Sequence, residues 1–168
     1  VSLGDVSAKT GAQLQTASTA AGATEFARPE DVAWDTLDPT VFYFNVTGAT
    51  VDGKGQSARL YRVKLDSVTN PTQGTIDVII DRADLVAPPV STSPLVQNLT
   101  PNPTFAQFDN LTVDGDGNVI VLEDPGNTKY LAINWKVNPF TKTAVAITES
   151  DPVRFFDNSP ANTSFFTI

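Results

Sequence analysis

Two stretches of this chain repeat one another. Phe26-Ala-Arg-Pro-Glu-Asp-Val-Ala-Trp-Asp35 aligns without a gap with Phe105-Ala-Gln-Phe-Asp-Asn-Leu-Thr-Val-Asp114. Phe, Ala and the closing Asp match, and the pair Glu30-Asp31 overlies Asp109-Asn110. Beyond them, Val41-Phe-Tyr-Phe-Asn45 overlies Val119-Ile-Val-Leu-Glu123, and Leu60-Tyr-Arg-Val63 overlies Asn134-Trp-Lys-Val137. A repeat of this kind restricts the fold sharply, because each copy leaves an apolar face that its neighbour must cover. The spacing from Phe26 to Phe105 exceeds the roughly 40–50 residues of a propeller blade, and a Pro-rich insertion accounts for the excess.

Each copy reads as four strands. In the first, Asp31–Asp35, Val41–Val46, Ser57–Leu65 and Thr75–Asp81 are rich in β-branched and aromatic residues or alternate apolar with charged ones. In the second, the matching runs are Asn110–Asp114, Asn118–Leu122, Tyr130–Val137 and Thr143–Thr148. Four sequential antiparallel strands make a blade-like meander. The expected fold is therefore all-β, with about two antiparallel four-stranded blades of a β-propeller and an incomplete ring. Residues 25–81 form the first blade and 105–150 the second. Residues 1–24, rich in Ala, Ser and Thr, form an N-terminal arm with a weak helix over Ser7–Ala21. Residues 82–104 hold five prolines and form an irregular connection, opening on a helical turn at Arg82–Leu85. Residues 151–168 carry Phe155, Phe156, Phe165 and Phe166 and read as a lead-in to a further blade, with those four rings buried. Two blades cannot close a ring of at least about four, so the expected partners are remaining blades or other chains. Trp34 and Trp135 fall inside strand runs and are expected in the core.

The hairpin over Asn110–Leu122 turns at Asp114-Gly-Asp-Gly-Asn118. That turn resembles a calcium loop, but an EF-hand needs Gly at its sixth position and Glu at its twelfth, where Val119 and Pro125 stand. A tight turn is the better account. The opposite end of the hairpin is richer in oxygen ligands. There the entry of one strand (Asp109, Asn110) meets the exit of the next (Glu123, Asp124), with Asn127 following, and the repeat adds Glu30 and Asp31. Hard cations such as calcium take several carboxylate and amide oxygens together. The competing role for these side chains is capping turns through local backbone bonds. Arg28, beside Glu30, either pairs with a carboxylate or binds an anionic group such as phosphate. Asn45 heads an Asn-X-Thr pattern, to which no role is attached.

Composition removes whole classes of chemistry. The chain has no His and no Cys, which excludes a Ser-His-Asp triad, imidazole acid–base work, thiol nucleophiles, thiolate ligands and disulfides within it. Eleven Lys and Arg against nineteen Asp and Glu give a net charge of −8. That balance argues against nucleic acid or an anionic membrane surface as partner. No apolar run reaches the roughly 18 residues that span a bilayer, and no signal peptide is legible from Val1 onward.

The Arg28-Pro-Glu-Asp31 run, followed a blade later by Asp109-Asn-Leu111 and Glu123-Asp-Pro-Gly-Asn127, resembles the bacterial PhoX-type alkaline phosphatases and their secreted relatives. The similarity extends over nearly everything from Thr24 to Phe166. It implies a propeller with a metal centre on its axis, built on calcium and, in the characterised enzymes, iron, acting on a phosphoester substrate. It also implies export to the periplasm or beyond. By this resemblance Glu30, Asp31, Asp109, Asn110, Glu123 and Asp124 are candidate metal ligands; Arg28, from its place beside them, and Asn127, from the loop that follows Glu123 and Asp124, are candidate substrate contacts. The family's cysteine iron ligand has no counterpart here. Two functions follow as alternatives: a metal-dependent phosphoester hydrolase, or a non-catalytic secreted calcium-binding scaffold or surface-assembly protein on the same fold.

Overall fold

The computed structural model describes residues 2–51, 54–85, 100–101, 108–124, 130–131 and 133–147. After the helix α1 (Gly11–Ala20) come twelve strands among the described residues: β1 (Pro29–Trp34), β2 (Val41–Val46), β3 (Ala49–Val51), β4 (Lys54–Gln56), β5 (Arg59–Leu65), β6 (Gly74–Asp81), β7 (Thr100–Pro101), β8 (Phe108–Val113), β9 (Val119–Glu123), β10 (Tyr130–Leu131), β11 (Asn134–Asn138) and β12 (Thr143–Ala146). Two antiparallel four-stranded sheets dominate, in the orders β1-β2-β5-β6 and β8-β9-β11-β12. This is the all-β, two-blade architecture that the repeat requires. Three details differ from expectation. Between Val46 and Ser57, where no strand is expected, Ala49–Val51 and Lys54–Gln56 pair as the small β3–β4 hairpin. The run Tyr130–Val137 divides, with β10 leaving to pair in parallel with β7. The arm's helix is shorter than Ser7–Ala21; it starts at a Thr10/Gln13 capping box and buries none of its residues.

The registers make the two sheets superimposable. Across the first run two apolar rows on one face, Trp34–Phe42–Val63–Ile76 and Val32–Phe44–Tyr61–Val78. Across the second run the matching rows, Val113–Val119–Val137–Ala144 and Leu111–Val121–Trp135–Ala146. This pairing equates Phe42–Val46 with Val119–Glu123, one residue later than the sequence alignment of Val41–Asn45. The turn between β1 and β2 is longer than its partner, and alignment by residue type absorbs that length in the wrong place. The rows of the second sheet pack into the shared core against the opposite face of the first, where Val41, Tyr43, Leu60 and Ile80 lie.

Trp135 is 2% exposed, as expected, whereas Trp34 is 55% exposed. Both stand on the same kind of face, but only the second sheet's is covered. Alternation identifies a face without saying which face meets a neighbour. Around the sheets, Asp35 accepts the Tyr43 hydroxyl at 2.6 Å and the Leu37 amide at 2.7 Å. Asp114, its repeat partner, accepts the Asp116 and Asn118 amides at 2.9 and 2.8 Å. The Asp114–Asn118 segment is thus a tight turn closed by its own Asp side chain, with Gly117 at φ +80°, a backbone conformation that suits glycine.

Candidate acidic edge between the two sheets

Each sheet breaks its ladder at the same place. Pro29 pairs with Val46 and Val32 with Phe44, so three steps on β1 face two on β2. Phe108 pairs with Glu123 and Leu111 with Val121, so β8 does the same against β9. Both are β-bulges, and the bulged residues are Glu30-Asp31 and Asp109-Asn110. A bulge re-aims side chains away from the pleat, which is why these polar residues interrupt two otherwise apolar strands.

Bonds across the boundary fix the two bulges to one another. Asn45, 0% exposed on β2, accepts the Asp31 amide on Oδ1 at 3.1 Å and donates from Nδ2 to the Asp109 carbonyl at 2.7 Å. Asp31 Oδ2 accepts the Leu111 amide at 2.9 Å, while Oδ1 takes the Val32 amide at 2.8 Å. Glu30 Oε1 accepts the Thr47 hydroxyl at 2.6 Å and the Arg28 guanidinium at 3.0 Å. Arg28 lies at φ 61°, an unfavourable backbone for a residue with a Cβ. Its carbonyl accepts the Thr47 amide at 3.0 Å, and that bond helps hold the strained turn in place.

The charges interact even where the side chains do not touch. Burial pushes the Asp109 carboxyl above its ordinary range, and the negative charges of Glu30, Asp124 and Asp31 push it further; Arg28 partly offsets them. Four carboxylates from two sheets therefore share one electrostatic neighbourhood. Asn110 stands exposed in the second bulge and Asp124 is exposed at the exit of β9. Among the described residues no three acidic side chains converge closely enough to hold a metal ion. The donor set is all hard oxygen, of the kind calcium takes, but smaller than the six to eight ligands it wants.

Glu123 is placed differently. It is 5% exposed and turned inward, where Oε1 accepts Arg82 Nε at 2.9 Å and Trp135 Nε1 at 2.6 Å, and Oε2 accepts the Ile133 amide at 3.1 Å. Its three donors satisfy a buried charge that would otherwise be costly. It adjoins the acidic edge through its chain neighbour Asp124. Asn127 lies outside the described residues, as do Phe155, Phe156, Phe165 and Phe166. Sequence reasoning passed over Asn45, Thr47 and Arg82. The first was visible only as an Asn in a strand otherwise made of Val, Phe and Tyr, a misfit that signals a buried polar link.

Among the described residues no helix is long and apolar enough to cross a membrane. No curated protein and no solved structure matches the chain. The family model described as alkaline phosphatase PhoX matches residues 4–163. With that match over most of its length, the chain belongs to the PhoX alkaline phosphatase family.

Proposed function

We propose that the chain forms part of a secreted, calcium-dependent phosphoester hydrolase of propeller type, and that its acidic edge contributes ligands to the metal centre. One observation carries this reading: Asp109 is desolvated and surrounded by the charges of Glu30, Asp124 and Asp31. Glu30 and Asp31 have structural bonds of their own, but a cation at this edge would offset the repulsion that Asp109 meets there. Glu30, Asp31, Asp109 and Asp124, with Asn110, are the ligands assigned, and further oxygens come from blades beyond these two. Glu123 supports that edge from beneath. Arg28, paired with Glu30, would be released to meet a phosphoryl oxygen if a cation took over its partner. The metal, when bound, would polarise the phosphoryl group; iron, if present, would find only oxygen ligands in this chain, which has neither Cys nor His. Export to the periplasm or beyond suits calcium as the cation.

Calorimetric titration of the chelator-treated chain with calcium, alongside hydrolysis of p-nitrophenyl phosphate with and without calcium and iron, tests this. Calcium binding lost in Asp109→Asn, together with metal-dependent hydrolysis, is the expected result. Calcium binding without hydrolysis under any metal would favour the non-catalytic scaffold instead. No calcium binding would mean that these five side chains do not hold the ion without oxygens from further blades.

A further inference from the structure

Among the described residues the first sheet ends on β6, which runs for eight residues over Gly74–Asp81 and contains no Lys, Arg or Pro. An edge strand offers unpaired backbone groups to other chains, and folded proteins blunt such edges with bulges, prolines or lysines. Only the end nearest Asp81 is blunted by the strand itself. There Leu60 pairs with Ile80 and Tyr61 with Val78, so Ile79 is an extra residue and bulges. From Val78 back to Gly74 the ladder is regular.

The phase of that ladder says which groups face outward. Just before the strand, the Asp66 amide bonds to the Gln73 carbonyl at 3.1 Å. Bonded and unbonded pairs alternate along an antiparallel ladder. With Asp66 and Gln73 bonded, the pairs Lys64–Thr75 and Arg62–Asp77 are bonded as well. Ile76 and Val78, opposite Val63 and Tyr61, therefore turn their N–H and C=O groups to the free edge.

A lysine from the other sheet stands on that edge. Lys142, in the turn between β11 and β12, donates from Nζ to the Val78 carbonyl at 3.0 Å. The Asp77 carboxyl is held below its ordinary range, first by its bond from the Arg62 guanidinium, and the Lys142 charge adds to the lowering. An open cleft of about 390 Å³ lies between β6 and β12, with Lys142 in its lining. The backbone of Lys142 is strained: its φ is 54°, a conformation that favours glycine. It follows a turn in which Asn138 Oδ1 accepts the Phe140 and Thr141 amides at 3.0 and 3.1 Å. Glycine would suit that turn better, but only a long cationic side chain reaches the first sheet. A backbone outlier of this kind points to a role for its side chain.

We infer that Lys142 guards the edge of β6. By occupying the Val78 carbonyl and placing a positive charge beside it, the side chain keeps β6 from pairing with β6 of a second copy. The guard protects the regular half of the strand, the half that the Ile79 bulge leaves open. It is lent by the second sheet to the first and is not carried by β6 itself. The contact lies at the far side of the first sheet from the β1 bulge and does not depend on the proposed activity.

Lys142→Gly relieves the backbone and removes the amine; Lys142→Asn, whose residue also tolerates this conformation, gives the same loss by a second route. Sedimentation velocity over a wide concentration range compares them with wild type and with Lys142→Arg, which keeps the charge and the reach. Circular dichroism checks that each variant is folded. The Gly and Asn variants should self-associate about tenfold more tightly than wild type, the scale of one added hydrogen bond. The Arg variant should match wild type. Adding Ile76→Pro to Lys142→Gly removes one outward N–H while leaving the ladder to β5 intact, and should return association to the wild-type level. Association no tighter than wild type in a folded Gly or Asn variant would overturn the inference. An Arg variant that associates like the Gly variant would do the same. So would association that survives Ile76→Pro, because it would run through some other surface.

Discussion

Arg82, just past the last strand of the first sheet, and Glu123, at the exit of β9, form an ion pair of 2.9 Å between side chains that are 10% and 4% exposed. Arg82 also lies over the Trp135 ring, 5.1 Å from its centroid. A charge pair this deep spans the two sheets through their common core, and the geometry leaves neither charge dependent on water.

Removing one partner should therefore cost far more than replacing both. Glu123→Ala strands the Arg82 guanidinium and the Trp135 and Ile133 donors, with an expected loss of roughly 3–5 kcal/mol. The double variant Arg82→Met/Glu123→Leu, apolar on both sides, should recover much of that loss. Urea denaturation of the two variants against wild type decides it. If Glu123→Ala cost no more than a surface substitution, the buried pair would not be holding the sheets.

Asn45 makes a second prediction of the same form but on the backbone. Its amide satisfies the Asp31 N–H and the Asp109 carbonyl, one from each sheet. Asn45→Ala takes the side-chain partner from both in a part-buried place, at no more than about 1–3 kcal/mol per group. Hydrogen exchange should quicken at the Asp31 amide in particular, well beyond the change at strand centres such as Val137. Uniformly faster exchange would mean general loosening and no specific tie.

The pH dependence follows from carboxylates held low. Asp81 is desolvated, which raises its pKa, yet the Ser57 hydroxyl, the Arg59 guanidinium and the Ala83 amide more than reverse this and hold it below its ordinary value. Asp114 is also desolvated, and its bonds from Asn118 and from the Asp116 amide likewise outweigh that burial. A depressed folded-state pKa gives stability that is present above the unfolded value near about 3.9 and is lost as pH falls through the lower folded value. Melting between pH 6 and pH 2 should show that loss, and Asp81→Asn and Asp114→Asn should each flatten the acid side of the curve. Curves parallel to wild type would mean that these carboxylates are bonded no better in the fold than in the unfolded chain.

How much of this was written in the sequence differs from feature to feature. Phe26 and Phe105 set the repeat, and the acidic pairs four residues after each turned out to be matched bulges. The Asp114–Asn118 turn was legible because Asp and Gly carry their own local geometry. The register of β2 was legible only to within one residue, since Val41-Phe-Tyr-Phe-Asn45 is apolar at either offset and the turn before it is longer. Trp34 was misplaced for a related reason: alternation cannot say which face has a neighbour. Arg82 and Glu123 are far apart in sequence, and nothing local in either marks a buried partner. Glu123 looked like its acidic neighbours until the fold turned it inward.

Asp109 bears most directly on the proposed metal site, and it titrates in the opposite sense to Asp81. Its carboxyl is pushed up first by burial and then by Glu30, Asp124 and Asp31. The ionised form is thus disfavoured in the folded chain, so without a cation it lowers stability above its folded pKa, and that loss disappears as pH falls below the unfolded value. Asp109→Asn removes the charge and keeps the shape. At pH 7 in the presence of chelator the variant should melt above wild type, because one repelling carboxylate is gone. With calcium the order should reverse: wild type gains stability in proportion to ln(1 + [Ca]/Kd), and the variant gains little. Two melting curves per protein, with chelator and with millimolar calcium, are sufficient. If Asp109→Asn melted below wild type in chelator and tracked it in calcium, the carboxylate would be a structural hydrogen-bonding group and the acidic edge would lose its central ligand.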